Sequence, residues 1–202
     1  MKDQELEVKF HIRDLPAVEV RLKDLGAQQV QPRLHEVNLR LDTENHSLTS
    51  SLQVLRLRQD SQARVTYKGP GTTQGGVRVR QEYEFVVSDY QAARSLFKAL
   101  GYDVAMMYEK YRTVYDLDEV HVTLDEMPYG SFIEIEGPRP ESIQSMARSL
   151  ECSWDCRVLD SYTAIFEQLR AALGFSFRDL SFENFSSLPV SLGEIGIRSA
   201  DV

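Results

Sequence analysis

Charged and apolar residues alternate with period two through stretch after stretch of this 202-residue chain. In ELEVKF, Glu5, Glu7 and Lys9 alternate with Leu6, Val8 and Phe10, and a β-strand sends successive side chains to opposite faces. The pattern returns at Arg56 and Arg58, at Lys68, and at Arg78, Arg80, Glu82 and Glu84. It returns again at Lys110 and Arg112, at Asp125, and at Glu134 and Glu136. Leu55, Leu57, Val65, Val79, Val122, Leu124, Ile133 and Ile135 take the other parity. One reading is an antiparallel sheet with its charged face in water. Against it, like charges pair along single strands: Glu5/Glu7, Glu82/Glu84, Glu134/Glu136, Arg56/Arg58 and Arg78/Arg80. Such pairs sit ~7 Å apart and repel, which a solvated face has no reason to maintain. A charged interior built around a charged guest does.

Eight strand-like segments fall at about 4–12, 35–42, 52–59, 63–69, 77–87, 106–116, 119–125 and 131–136. Helical patterns fall at 14–25, 89–100, 140–151 and 160–173, with Asp14 as one N-cap, Ser88 or Asp89 as another, and Gly26, Gly101 and Gly174 past the ends. Eight strands suit a closed antiparallel barrel, and four amphipathic helices can cover its apolar outside. The expected fold is therefore α+β, a closed eight-stranded antiparallel β-barrel with helices packed outside. A weak repeat supports it: ELEVKF, EYEFVV and EIEG each lead into a helix. The barrel domain is expected over residues 1–174. Residues 175–202 read as an extension, packed at first through Phe175, Phe177 and Phe182, with its last dozen residues loose. KGPGTTQGG reads as a flexible hairpin connection after Lys68.

A net charge of −8 argues against general nucleic-acid binding. No run of 18 apolar residues and no signal-peptide pattern is present in the sequence, so a cytoplasmic protein without a membrane segment is expected. Cys152 and Cys156, with no nearby His pair, read as reduced structural thiols and not as a zinc site.

Carboxylate clusters without His or Cys suit hard divalent cations, Mg2+ or Mn2+. Arg and Lys clusters suit phosphate oxygens, Arg through its planar fork. Together they describe a polyphosphate-plus-metal site in which side chains, not a Gly-rich backbone cradle, recognise phosphate.

With LRLR, TYKGP, RQEYE, KYR, LDEMPYGSFIEIEG and DSYTAIF, the E-x-E-x-K of ELEVKF resembles the CYTH superfamily, the triphosphate tunnel metalloenzymes. These include class IV adenylyl cyclases, thiamine triphosphatases and inorganic triphosphatases, and the likeness covers about residues 3–170. It lies nearest the compact proteins named as class IV adenylyl cyclases. The resemblance implies a tunnel for a triphosphate-bearing small molecule, with Glu5, Glu7, Asp125, Glu134 and Glu136 as metal-binding acids. It implies Lys9, Arg56, Arg58, Lys68, Arg80, Lys110 and Arg112 as phosphate-contacting bases, Glu82 and Glu84 as further tunnel acids, and Glu5, Glu7, Lys9, Glu134 and Glu136 as the catalytic group. One departure is visible. Where relatives often have an Asp-x-Tyr-Phe-Asp-like strand, this chain reads Asn38-Leu39-Arg40-Leu41-Asp42, which makes Arg40 an unexpected extra cation.

No Ser-His or Cys-His nucleophile pair is evident, and His121, which shares parity with Asp125, reads more readily as structural than as catalytic. The expected chemistry is metal-assisted phosphoryl transfer. In a hydrolase, water attacks the terminal phosphorus of tripolyphosphate, a nucleoside triphosphate or thiamine triphosphate. In a cyclase, the ribose 3′-hydroxyl of ATP attacks the α-phosphorus and pyrophosphate leaves. Hydrolysis is the leading expectation because water needs no nucleoside pocket. A non-catalytic polyphosphate or nucleotide binder has little use for so many interior acids.

Overall fold

The computed structural model describes residues 4–201. The first three strands and their helices are β1 (Gln4–Ile12), α1 (Leu15–Asp24), β2 (Gln28–Asp42), α2 (Ser47–Ser50) and β3 (Val54–Gln59). Next come β4 (Ala63–Gln74), β5 (Val77–Val87), α3 (Tyr90–Ala99), β6 (Asp103–Leu117), β7 (Val120–Met127) and β8 (Gly130–Glu136). The chain ends with α4 (Pro140–Ser149), β9 (Arg157–Val158), α5 (Tyr162–Leu173) and α6 (Phe182–Phe185).

The strands run β5-β4-β3-β2-β6-β7-β8-β1, and β1 returns to pair with β5, which closes a ring of eight antiparallel strands. Closure is registered by Glu5 opposite Arg80 and Glu7 opposite Arg78. The short β9 adds to β1 beyond that pairing. The apolar parity faces outward and makes the core. Val8, Phe10, Val122, Ile133 and Ile135 are buried beneath Val18 and Leu22 of α1 and Ile143, Met146 and Ala147 of α4. Burial of each such side chain contributes about 1.5–3 kcal/mol. On the opposite wall, α3 packs Ala93 and Phe97 on Leu39, Leu41, Leu57 and Val65. Asp14 caps α1 as the sequence indicates, accepting from the Ala17 amide; of Ser88 and Asp89 it is Asp89 that caps α3, accepting from Ala92, and Ser161 caps α5, accepting from Ala164.

Two expectations are corrected. KGPGTTQGG is not a flexible connection: β4 continues through a register shift between Lys68 and Gly71 to Gln74, and the turn is only Gly75-Gly76, at φ 58° and 78°, a conformation glycine adopts without strain. Residues 191–201, within the last dozen expected to be loose, are anchored, and Val202 lies outside the described residues. Leu192 is buried in the cluster that packs α5, the Ala200 amide donates to the His11 carbonyl while its carbonyl accepts from the Ser153 amide, and Asp201 accepts from the amides of Arg13 and Asp14. Their Ser/Gly composition conceals this because a few spaced apolar residues and backbone bridges do the anchoring.

At one end of the barrel the inward parity turns apolar. Met106, Tyr108 and Phe132 share a face with Lys110 and Glu134, and they pack with Tyr162, Ile165 and Phe166 of α5. That helix therefore lies across one end of the interior.

Candidate active site

Inside the ring is a cavity of about 510 Å³ lined by both signs of charge. Each expected site residue except Asp125 lines it: Glu5, Glu7, Lys9, Arg56, Arg58, Lys68, Arg80, Glu82, Glu84, Lys110, Arg112, Glu134 and Glu136. Period-two geometry puts them there. Across the ladders Lys9 faces Glu134, Glu7 faces Glu136 and Lys68 faces Glu82, so one inward face from each strand meets the next.

One side is acid-rich. Lys68 Nζ bonds Glu5 at 2.6 Å and reaches Glu82 at 3.0 Å, while Lys9 Nζ bonds Glu7 and Glu134, both at 3.0 Å. Glu136 has no cation within 4 Å among the described residues. Partial loss of hydration and the nearby Glu5 push its carboxyl up to about 7, with Glu82 and Glu7 adding to the effect and Lys68 opposing it.

The other side is a cation wall. Arg58 lies 3.6 Å from Glu36 and 3.3 Å from Glu84, and Arg56 lies 3.4 Å from Glu84 and donates to the Tyr108 hydroxyl at 3.2 Å. Lys110 lies 3.7 Å from Glu36. Burial alone would raise the Glu36 carboxyl, but Lys110, Arg112, Arg58 and Arg56 hold it down to about 2.

Asp125, expected among the metal-binding acids, lies behind this surface and is fully buried. It accepts from Lys110 at 3.1 Å, from Arg112 Nε at 2.6 Å and from the Tyr162 hydroxyl at 2.8 Å. Arg112 also bridges to Glu134, and burial is outweighed by Lys9 and Arg112 in keeping the Glu134 carboxyl well below the usual range. His121 stands at the cavity edge, exposed, with Nδ1 2.6 Å from Asp116. Arg78 is turned to the Leu159 carbonyl instead.

Glu36 was missed, although its parity with Arg40 in HEVNLRLD was legible. Tyr162, whose ring lies 5.4 Å from Lys9 Nζ and 5.3 Å from Lys110 Nζ, was also missed. Tyr162 lies within the DSYTAIF segment, but nothing in that segment signals where its helix docks.

Among the described residues no three acids, imidazoles or thiols close on one point at ligating distance, because the Lys9 and Lys68 ammonium groups hold several of the carboxylates. The donor chemistry still fits a hard divalent cation. Glu5, Glu7, Glu82 and Glu136 offer only oxygen, and Glu136, pushed up first by burial and then by Glu5, is a carboxyl that a bound cation would favour in its charged form.

The model of the CYTH domain matches residues 3–152, and the chain belongs to that family, whose metalloenzyme chemistry depends on divalent metal. It is 28% identical over 134 residues to a Methanocaldococcus jannaschii protein named as a candidate adenylate cyclase, covering 65% of this chain and 75% of that one. It is 25% identical over 188 residues to the adenylate cyclase CyaB of Aeromonas hydrophila, covering 91% and 87%. Among solved structures, a candidate adenylate cyclase from Vibrio parahaemolyticus superposes with a TM-score of 0.75 at 21% identity, over 83% of this chain and 99% of that one. A Hippeastrum adenylyl cyclase candidate, described as having a dominant triphosphatase activity, gives 0.61 at 18% over 81% and 95%. No helix among the described residues is long and apolar enough to cross a membrane.

Proposed function

We propose that this protein is a divalent-metal-dependent hydrolase that holds the triphosphate group of tripolyphosphate, a nucleoside triphosphate or thiamine triphosphate in its tunnel and releases the terminal phosphate. The observation that carries the reading is the separation of charge within one cavity: an acid cluster around Glu136 beside a wall of Arg56, Arg58, Lys110 and Arg112. A neutral or singly charged guest would use one side and leave the other uncompensated.

Arg56 and Arg58 present planar forks to phosphoryl oxygens, and Lys9, Lys68, Arg80 and Lys110 add point or forked charge. Asp125 and Tyr162 fix Lys110 and Arg112 from behind, which is a positioning role. Glu5, Glu7 and Glu136 would hold Mg2+ or Mn2+, with Glu82 and Glu134 beside them. The ion supplies a divalent positive charge against the phosphoryl oxygens as they gain charge. The water oxygen bonds to the terminal phosphorus as the bridging P–O bond breaks, one water proton stays on the orthophosphate, the other passes to solvent, and orthophosphate and the shortened chain leave. The cation wall takes up the charge on the departing chain.

The names of the relatives favour a second reading, cyclisation of ATP to cyclic AMP and pyrophosphate. That the same fold carries a dominant triphosphatase activity in the Hippeastrum protein means a cyclase name does not decide the reaction. The test is incubation with tripolyphosphate, ATP and thiamine triphosphate in Mg2+ or Mn2+. Orthophosphate release is expected. Cyclic AMP with pyrophosphate would establish the cyclase instead, and binding without turnover would leave a polyphosphate sensor.

A further inference from the structure

Nearly every cation facing the cavity is neutralised by a protein carboxylate. Lys9, Lys68, Lys110, Arg112, Arg56 and Arg58 each have one within 4 Å. Among the described residues, Arg40 and Arg80 line the cavity without one. Arg80 is nonetheless provided for. It donates twice to the Gly69 carbonyl, and although burial and the neighbouring Arg78 disfavour its charged form, Glu5, Glu7 and Glu82 oppose them.

Arg40 is placed differently. It points into the cavity at the end crossed by α5, and its Nη1 donates to Thr163 Oγ1 at 2.6 Å. Arg56 stands directly opposite across the β2–β3 ladder, an arrangement that costs energy for like charges. The groups whose field favours a charged Arg40 are Tyr108, Asp42 and Glu167; the Tyr108 hydroxyl already accepts from Arg56, and the two carboxylates are engaged elsewhere. Asp42 accepts from the amides of Thr43, Leu48 and Thr49, and Glu167 pairs with Arg170. Burial first, and Arg56 as well, disfavour the charged form of Arg40. A guanidinium is thus held in a partly buried place, next to another, with the Ser161 and Thr163 hydroxyls 3.2 Å apart beside it. A bound oxyanion would turn that repulsion into attraction and use the donors the guanidinium has left. A neutral group would not.

We propose that Arg40, with Arg56, Ser161 and Thr163, forms an additional oxyanion subsite at the α5 end of the tunnel, one that accepts an anionic group beyond the three phosphoryl groups. The substrate class is then a linear polyphosphate of four or more units, or a triphosphate bearing a further phosphate. This rests on the triphosphate reading above and narrows it.

The test compares tripolyphosphate with tetrapolyphosphate, as kcat/KM in Mg2+ and as Kd by calorimetry in chelator. In the wild-type chain tetrapolyphosphate is expected to be favoured about tenfold, equivalent to about 1.4 kcal/mol. Arg40→Leu should bring the ratio towards one through KM and Kd, with the melting temperature confirming a folded protein. Arg40→Lys should fall between, because it retains the charge and loses the fork. A wild-type ratio of one, with tripolyphosphate still bound and cleaved, would overturn the subsite alone. Equal losses on both substrates in Arg40→Leu would do the same, by making Arg40 a general tunnel contact. Failure of the wild type to bind either chain length would overturn the triphosphate reading, and the subsite with it.

Discussion

Glu36 and Glu136 are the same residue type in the same cavity, yet one carboxyl is held down to about 2 and the other pushed up to about 7. Burial acts against ionisation in both cases. The difference is the company. Glu36 faces Lys110, Arg112, Arg58 and Arg56, whereas Glu136 faces Glu5, Glu82 and Glu7 with only Lys68 in opposition. The interior is therefore two regions, not a blended mixture. The cation wall neutralises its own acids, whereas the acid cluster, despite Lys9 and Lys68, leaves Glu136 without a cation partner among the described residues.

Breaking the cation wall should therefore hurt the fold. Arg112→Ala would leave Asp125 and Glu134 without their shared partner, at a cost of about 3–5 kcal/mol, measurable by urea denaturation. Stability equal to wild type would mean that the wall is less tightly coupled than its contacts indicate.

Breaking the acid cluster should spare the fold and remove the activity. Glu5→Ala and Glu136→Ala are each expected to lower turnover by roughly a hundredfold or more, a loss typical of removing an electrostatic contributor to catalysis. The melting temperature of Glu136→Ala should stay near or above wild type, since an interior carboxylate with no cation partner among the described residues is gone, and that of Glu5→Ala should fall only modestly, because Lys68 keeps Glu82. Unchanged phosphate release in either variant would remove the metal assignment. Arg58→Ala is smaller in scale: a rise in KM of about tenfold, as expected for one charge-assisted hydrogen-bonding group, with kcat less affected.

The pH response separates the two regions by sign. Glu136 has its carboxyl raised in the folded protein, so its contribution is fully present below about 4.5 and is lost as pH rises through about 7. Glu36 is depressed, so its contribution is present above about 4.5 and is lost as pH falls towards about 2. In chelator the melting temperature should therefore decline between pH 5 and 7.5, and Glu136→Gln should flatten that decline. Mg2+ should restore stability at the upper pH. A flat wild-type profile in chelator would dissolve the contrast between the two regions. The smallest effect is expected outside the tunnel, where Arg33 pairs with Glu126 on the surface at 2.6 Å: Arg33→Ala should cost under about 1 kcal/mol.

Strand parity in the sequence determined which side chains share a face. Because the two faces of a strand are fixed by its backbone, Glu5, Lys9, Arg58 and Glu134 could be grouped before any tertiary contact was known. The helix cap at Asp14, and one at Ser88 or Asp89, were legible for the same local reason. What only the tertiary structure decided was where that face points along its length and what stands opposite it. Parity put Asp125 on the charged face, but α5 crosses the barrel end and Tyr162 seals Asp125 behind the wall. Parity made Arg40 a spare cation, but only the ladder opposite Arg56 and the docking of Thr163 define its surroundings. The anchored C-terminal segment was illegible because its contacts, from Asp201 to Arg13 and from Ala200 to His11, join residues far apart in the chain. Local pattern specifies a face; closure of the sheet and the docking of one helix decide which charges meet.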